Sequence, residues 1–151
     1  MPTHYSGTRA EMRTLNTFIK LTRCTNSLYT RLTERNTLDD LTPSQFAVLE
    51  ALYHLGSMTQ GEVSTKVLKS GSNMTTVIDN LERDGLIKRE RDAKDRRVIN
   101  VHLTEAGKRK IEVVLPGHIA ALVDEFSVLS ASEQQTLAAL CKKLGKSRES
   151  K

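Results

Sequence analysis

The apolar residues change their period at Gly85, and this change restricts the fold more than any other feature of the chain. Before Gly85 they recur at helical spacing. Phe46, Leu49, Leu52 and Tyr53 mark one helix, Val63, Val67 and Leu68 a short second one, and Met74, Val77, Ile78 and Leu81 a third. After Gly85 they alternate: Leu86 with Lys88–Arg91 predicts one strand, and Val98, Val101 and Leu103 predict another. Asp92-Ala93-Lys94-Asp95-Arg96-Arg97 forms the charged tip between them. Thr42-Pro43 supplies an N-cap and a proline at the first helical position. Gly56 stops that helix, Thr59 opens the next, and Ser70-Gly71-Ser72 separates the second helix from the third.

The flanks are helical. Thr8 to Asn36 holds neither Pro nor Gly, and Met12, Leu15, Phe18, Ile19, Leu21, Leu28 and Leu32 give it a broad apolar face. Beyond Leu103, Thr104 caps a helix carrying Ile111, Val114, Leu115, Ile119, Leu122, Val123 and Phe126; Pro116-Gly117 inside that run predicts a kink or a break. Ser130 caps a last helix with Leu137, Leu140 and Leu144. Segments 8–36 and 104–145 present more apolar surface than one small lobe covers, which predicts a homodimer. With no internal repeat and no dividing linker, residues 1–151 read as a single domain.

The predicted class is therefore mainly α with a small β-hairpin wing (α+β). The order of helix, helix, helix, strand, charged tip, strand over residues 42–103 is that of a winged helix-turn-helix. In such a lobe the third helix presents compact polar side chains to base edges in the major groove. Ser70, Ser72, Asn73, Thr75 and Thr76 at its start, and Asn80 further along, are the candidates. The free backbone N–H groups of its first turn attract phosphate. On the hairpin, Arg89, Lys94, Asp95, Arg96 and Arg97 are the candidates. Residues 83–97 hold seven basic and four acidic side chains, a net +3 out of the chain's +5. An arginine on a narrow tip suits the minor groove, where the potential is most negative.

The same residue types also serve as plain caps and as a solvated tip, so their order carries the argument. Double-stranded DNA is the expected partner, as part of sequence-specific regulation of transcription. Two other readings stay open: a winged-helix module for an acidic protein partner, and an architectural DNA-binding protein. An enzyme is not expected, because the chain shows no Gly-rich phosphate loop, zinc motif or nucleophile–base pattern. No cofactor is expected. No metal is expected either, because His4, His54, His102 and His118 form no pair at helical spacing. No apolar run approaches the roughly 18 residues that span a bilayer, and the polar start is unlike a signal peptide. A cytoplasmic protein with Cys24 and Cys141 as free thiols, and no membrane partner, is expected.

The sequence resembles the MarR family of regulators over nearly its whole length. Leu81-Glu82-Arg83-Asp84-Gly85-Leu86-Ile87 and Asp95-Arg96-Arg97, followed by Leu103-Thr104, carry the resemblance. It implies that Arg97 enters the minor groove and that Asp95 braces the tip through an ion pair. It also implies that the first and last helices of two subunits interleave as dimerisation helices (8–38 and 104–145). A repressor on a pseudo-palindromic operator, released by a small aromatic or phenolic effector or by an oxidant, is the implied mode of action. Phe18, Thr22, Tyr29, Tyr53 and His54 stand where an effector pocket is implied, or they only pack. Cys24 and Cys141 are possible redox positions. Packing is the preferred role for both, Cys24 as a small buried residue, since the sensing position of family redox members falls near Phe18.

Overall fold

The structure, a computed structural model, describes residues 4–67 and 73–147. The helices are α1 (Arg9–Arg35), α2 (Pro43–Leu55), α3 (Gln60–Lys66), α4 (Met74–Arg83), α5 (Glu105–Phe126) and α6 (Ala131–Gly145). The strands are β1 (Met58–Thr59), β2 (Ile87–Arg91) and β3 (Ile99–Leu103). The expected cap residues stand at the observed boundaries. Thr8, Thr42 and Ser130 each form a reciprocal capping box, with Glu11, Gln45 and Glu133 respectively. Thr59 caps α3, and Gly56 ends α2 at φ 82°, a conformation glycine adopts without steric cost. The Thr104 hydroxyl donates to the Gly85 carbonyl at 2.7 Å and accepts the Gly107 N–H at 3.0 Å. It thereby ties the start of α5 to the turn after α4. A Cβ on Gly107 would stand 2.0 Å from the Leu86 carbonyl oxygen, so this close approach requires glycine.

The chain forms two compact units, residues 37–119 and residues 1–36 with 120–151. In the central unit the strands make an antiparallel sheet of order β1-β3-β2, with Arg89 opposite Val101 and Met58 opposite Val101 on the other side. The two-residue strand β1 was not expected; it is too short to show a period. Leu49, Ile78, Leu81, Ile87, Val101 and Ile111 are fully buried in one core with Val48 and Val63. One expectation about the C-terminal segment changes. Pro116-Gly117 does not break the helix, because α5 runs through both residues. Both lie exposed, on the side of the helix away from the core, while Ile111, Val114 and Ala121 are buried on either side. The first part of α5 also packs with the central unit, since Ile111 and Val114 belong to its core.

In the terminal unit, α1 and α6 have no buried residue. Arg31 and Arg35 on α1 pair with Glu125 on α5 at 2.6 and 2.9 Å, and Arg35 also pairs with Asp124. Phe18, Val123, Leu140 and Leu144 stand exposed. Among the described residues, no single helix is long and apolar enough to cross a membrane.

Candidate nucleic-acid interface

Helix α4 and the β2–β3 hairpin bring most of the candidate residues into the central unit. Val77, Ile78 and Leu81 turn α4 toward the core, and the opposite side leaves Thr75, Thr76 and Asp79 exposed, with Asn80 half-buried. Asn73 is the N-cap, and its side-chain oxygen accepts the Thr76 N–H at 3.3 Å. One hydrogen-bonding group expected for bases is thus already used to start the helix. Ser70 and Ser72 lie outside the described residues.

The tip of the hairpin is ordered by its own carboxylates. Asp92 accepts the backbone N–H groups of Lys94 and Asp95 at 3.0 Å each, and the Asn100 amide at 3.1 Å. These bonds hold its carboxyl below the usual carboxylate range, the Asn100 bond most of all. Asp95 in turn receives the Arg97 guanidinium on both oxygens, at 3.1 and 3.2 Å, and accepts the Arg97 N–H at 3.1 Å. The Arg97 side-chain bond is the main cause of the lowered Asp95 pKa. The ion pair implied for the tip is therefore present. It fixes the direction of an arginine whose side chain remains 91% exposed. Arg91 donates to the Arg96 carbonyl at 2.7 Å, closing the other side of the tip. Lys94 and Arg96 are exposed and form no ion pair among the described residues.

Arg89 behaves differently from the other candidates. Its side chain turns back to α4 and meets Glu82 and Asp79. Nothing in the sequence pattern signalled this tie: Glu82 and Arg89 are seven residues apart, on either side of a turn, a spacing that fits contact and separation equally well.

Of the residues expected around an effector, Phe18, Thr22 and Tyr29 belong to the terminal unit, and Tyr53 and His54 to the central one. Phe18 and Tyr29 are 62% and 55% exposed, and the Thr22 hydroxyl donates to the Phe18 carbonyl. The Tyr53 and His54 rings meet edge to face at 5.2 Å, and Tyr53 reaches Glu112 at 3.4 Å. Cys24 and Cys141 are both exposed free thiols, so Cys24 is not the buried residue expected. In the single chain α1 buries no residue, so nothing on that helix covers Cys24.

Comparison with known proteins agrees with this geometry. The model of the MarR family matches residues 41–99, the stretch from the start of α2 to the start of β3. The HTH-type transcriptional regulator MhqR of Bacillus subtilis is 32% identical over 133 residues, covering 88% of this chain and 92% of its own. The HTH-type transcriptional repressor MdtR of the same organism is 36% identical over 109 residues, covering 72% and 70%. Among solved structures, BpsR of Bordetella bronchiseptica, whose DNA binding is regulated by 6-hydroxynicotinic acid, superposes with a TM-score of 0.71 at 25% identity, covering 83% and 98%. The matched stretch carries both the polar face of α4 and the tip that aims Arg97, and the match to MhqR extends along nearly the whole of both chains. The chain belongs to the MarR family, as a winged helix-turn-helix DNA-binding transcriptional regulator and not an enzyme.

Proposed function

We propose that the protein is a cytoplasmic repressor that binds a pseudo-palindromic operator as a homodimer and leaves it in response to a signal. The observation that carries this reading is the Asp95–Arg97 pair, which aims an exposed guanidinium from the tip of a hairpin whose strand β2 is tied to α4 through Arg89. In this reading α4 enters the major groove, where Thr75, Thr76 and Asn80 face base edges and Asn73 caps the helix. Ser70 and Ser72 are assigned to the same edge from the sequence. Lys94, Arg96 and Arg97 contact phosphate or the minor groove, and contacts of that kind set affinity more than sequence preference. Repression is supported by MdtR, which carries that description.

The homodimer is supported by the terminal unit, whose helices α1 and α6 bury no residue of their own. Two copies of a winged lobe match a two-fold operator. Release by a small aromatic or phenolic effector is supported by BpsR, which 6-hydroxynicotinic acid regulates. An oxidant acting at exposed Cys24 or Cys141 is the second form of signal.

Fluorescence anisotropy over a salt series, on an operator duplex and a scrambled one, tests this reading. A protein that neutralises phosphates loses affinity with salt at a log–log slope of about −0.9 per phosphate. Arg97→Ala weakens both duplexes and flattens the slope by about one unit per wing. Thr76→Ala costs about 1–3 kcal/mol per half-site on the operator and little on the scrambled duplex. Asp95→Ala weakens binding although it removes a negative charge, because it frees the guanidinium that the carboxylate aims. Tighter binding by Asp95→Ala refutes the bracing role, and an unchanged slope for Arg97→Ala removes the wing from the DNA.

A further inference from the structure

Strand β2 is an edge of the three-stranded sheet, so alternate backbone N–H groups point away from β3. At Arg89 that outward N–H meets a side chain: it donates to Glu82 Oε2 at 2.9 Å. The Arg89 guanidinium grips the other oxygen of the same carboxylate, with Nε at 3.2 Å and Nη2 at 2.9 Å from Glu82 Oε1. Nη2 also reaches Asp79 Oδ1 at 2.7 Å. Glu82 is held below the usual carboxylate range, first by the Arg89 side chain and then by its backbone. The Arg89 side chain is 24% exposed, against 91% for Arg97.

We infer that Arg89 is a positioning residue for DNA binding, which docks the wing on the recognition helix and neutralises the two carboxylates of that helix, without touching DNA itself. The inference rests on the reading that α4 and the wing face DNA. Asp79 follows Thr75 and Thr76 at helical spacing, so it shares their side of α4. A carboxylate there faces phosphates as a like charge unless a cation accompanies it, and Arg89 supplies that cation from within the protein. The fork has a second consequence. Helix and hairpin read different grooves of one duplex, so their relative placement must be fixed before binding. A guanidinium gripping two carboxylates while its own backbone is held by one of them fixes it. Lysine keeps the charge but has no planar fork.

The full-length protein is measured by anisotropy across a salt series, on a duplex selected from a random-sequence library and on random duplex. Arg89→Ala weakens selected-duplex binding at least tenfold with the salt slope unchanged, whereas loss of a phosphate contact flattens the slope by about one unit per subunit. Arg89→Lys remains weak. Arg89→Gln combined with Asp79→Asn and Glu82→Gln recovers only the part of the lost affinity that comes from the two uncompensated carboxylates, and by more than Asp79→Asn and Glu82→Gln add to the parent protein. Urea unfolding of Arg89→Lys confirms that the protein measured is folded.

A slope flattened by Arg89→Ala, full activity of Arg89→Lys, or strictly additive effects in the combined variant each overturn the inference. Arg97→Ala, measured alongside, separates the two readings. If it flattens the slope and Arg89→Ala does so too, only the positioning role fails. If the slope responds to neither, the wing does not face DNA.

Discussion

The two compact units are built from similar helices, yet they bury their apolar residues very differently. Among the described residues, every buried apolar residue except Ala121 falls between Leu41 and Val114, inside the central unit. The terminal unit holds α1, the longest helix at 27 residues, and buries nothing on it. It keeps its segments together with Arg31 and Arg35 paired to Asp124 and Glu125. The arginines stay partly exposed in these pairs, although the Glu125 side chain is largely covered, and ion pairs at a protein surface contribute roughly 0–1 kcal/mol each. A core of interdigitated aliphatic side chains contributes far more, at about 25 cal/mol per Å² of apolar surface removed from water. The central unit therefore carries its own stability, while the terminal unit presents an apolar face, the one on which the proposed homodimer rests.

Paired substitutions sharpen this contrast. Leu49 is fully buried and Leu140 is 58% exposed. Leu49→Ala costs about 2–5 kcal/mol in urea unfolding, at any protein concentration. Leu140→Ala leaves the stability of an isolated chain nearly unchanged and instead raises the concentration needed for dimerisation. A melting temperature that depends on concentration in the parent, and less so in Leu140→Ala, is the signature. Equal losses from the two variants in dilute protein break the comparison.

The caps provide a smaller contrast. Thr42 and Thr8 form the same capping box, one on the core helix α2 and the other on α1. Thr42→Ala costs about 1 kcal/mol of global stability. Thr8→Ala frays only the first turn of α1, seen as faster amide exchange near Glu11 with unchanged urea unfolding.

The smallest effect is set by pH. The His118 ring packs edge to face on Phe46 at 4.7 Å and meets the Thr37 hydroxyl at 3.0 Å. Burial lowers its pKa below 6.5, and the negative charge of Glu50 offsets only part of this. A histidine with a lowered folded-state pKa binds its proton more readily when unfolded. Its contribution is complete above pH 6.5 and is lost as pH falls from there toward the folded-state value. Glu82, Asp95 and Glu125 have lowered pKa values, so their contribution is lost only at more acid pH, below 4.5. Urea midpoints for His118→Gln therefore stay flat just below pH 6.5, where those of the parent decline. Parallel declines refute the assignment to His118.

Much of the fold is legible in the sequence because it is encoded locally. Thr42-Pro43, Thr59, Thr104 and Ser130 act on the backbone within three residues of themselves, so the pattern alone locates their helices. The change of period at Gly85 likewise separates α4 from β2. The tip pair comes from the family resemblance and not from the residue pattern, and the structure forms it between residues two apart in a turn. The effector contacts are not legible at this level, because Phe18 and Tyr53 lie far apart in the chain and on different units, and no local pattern specifies how such residues are placed.

The sequence by itself determined the order of helices and strands, their caps, and the concentration of positive charge on one hairpin. The tertiary structure alone decided which cations are available. Arg89 and Arg97 are both wing arginines and both DNA-contact candidates from the sequence, but one is spent on Glu82 and Asp79 and the other is held out by Asp95. It also paired β1 with β3 and carried α5 through Pro116 by burying Ile111 and Val114 before it. The physical reason is range: a cap or a turn is settled by backbone geometry over a few residues, whereas an ion pair between helix and strand depends on where the core places both.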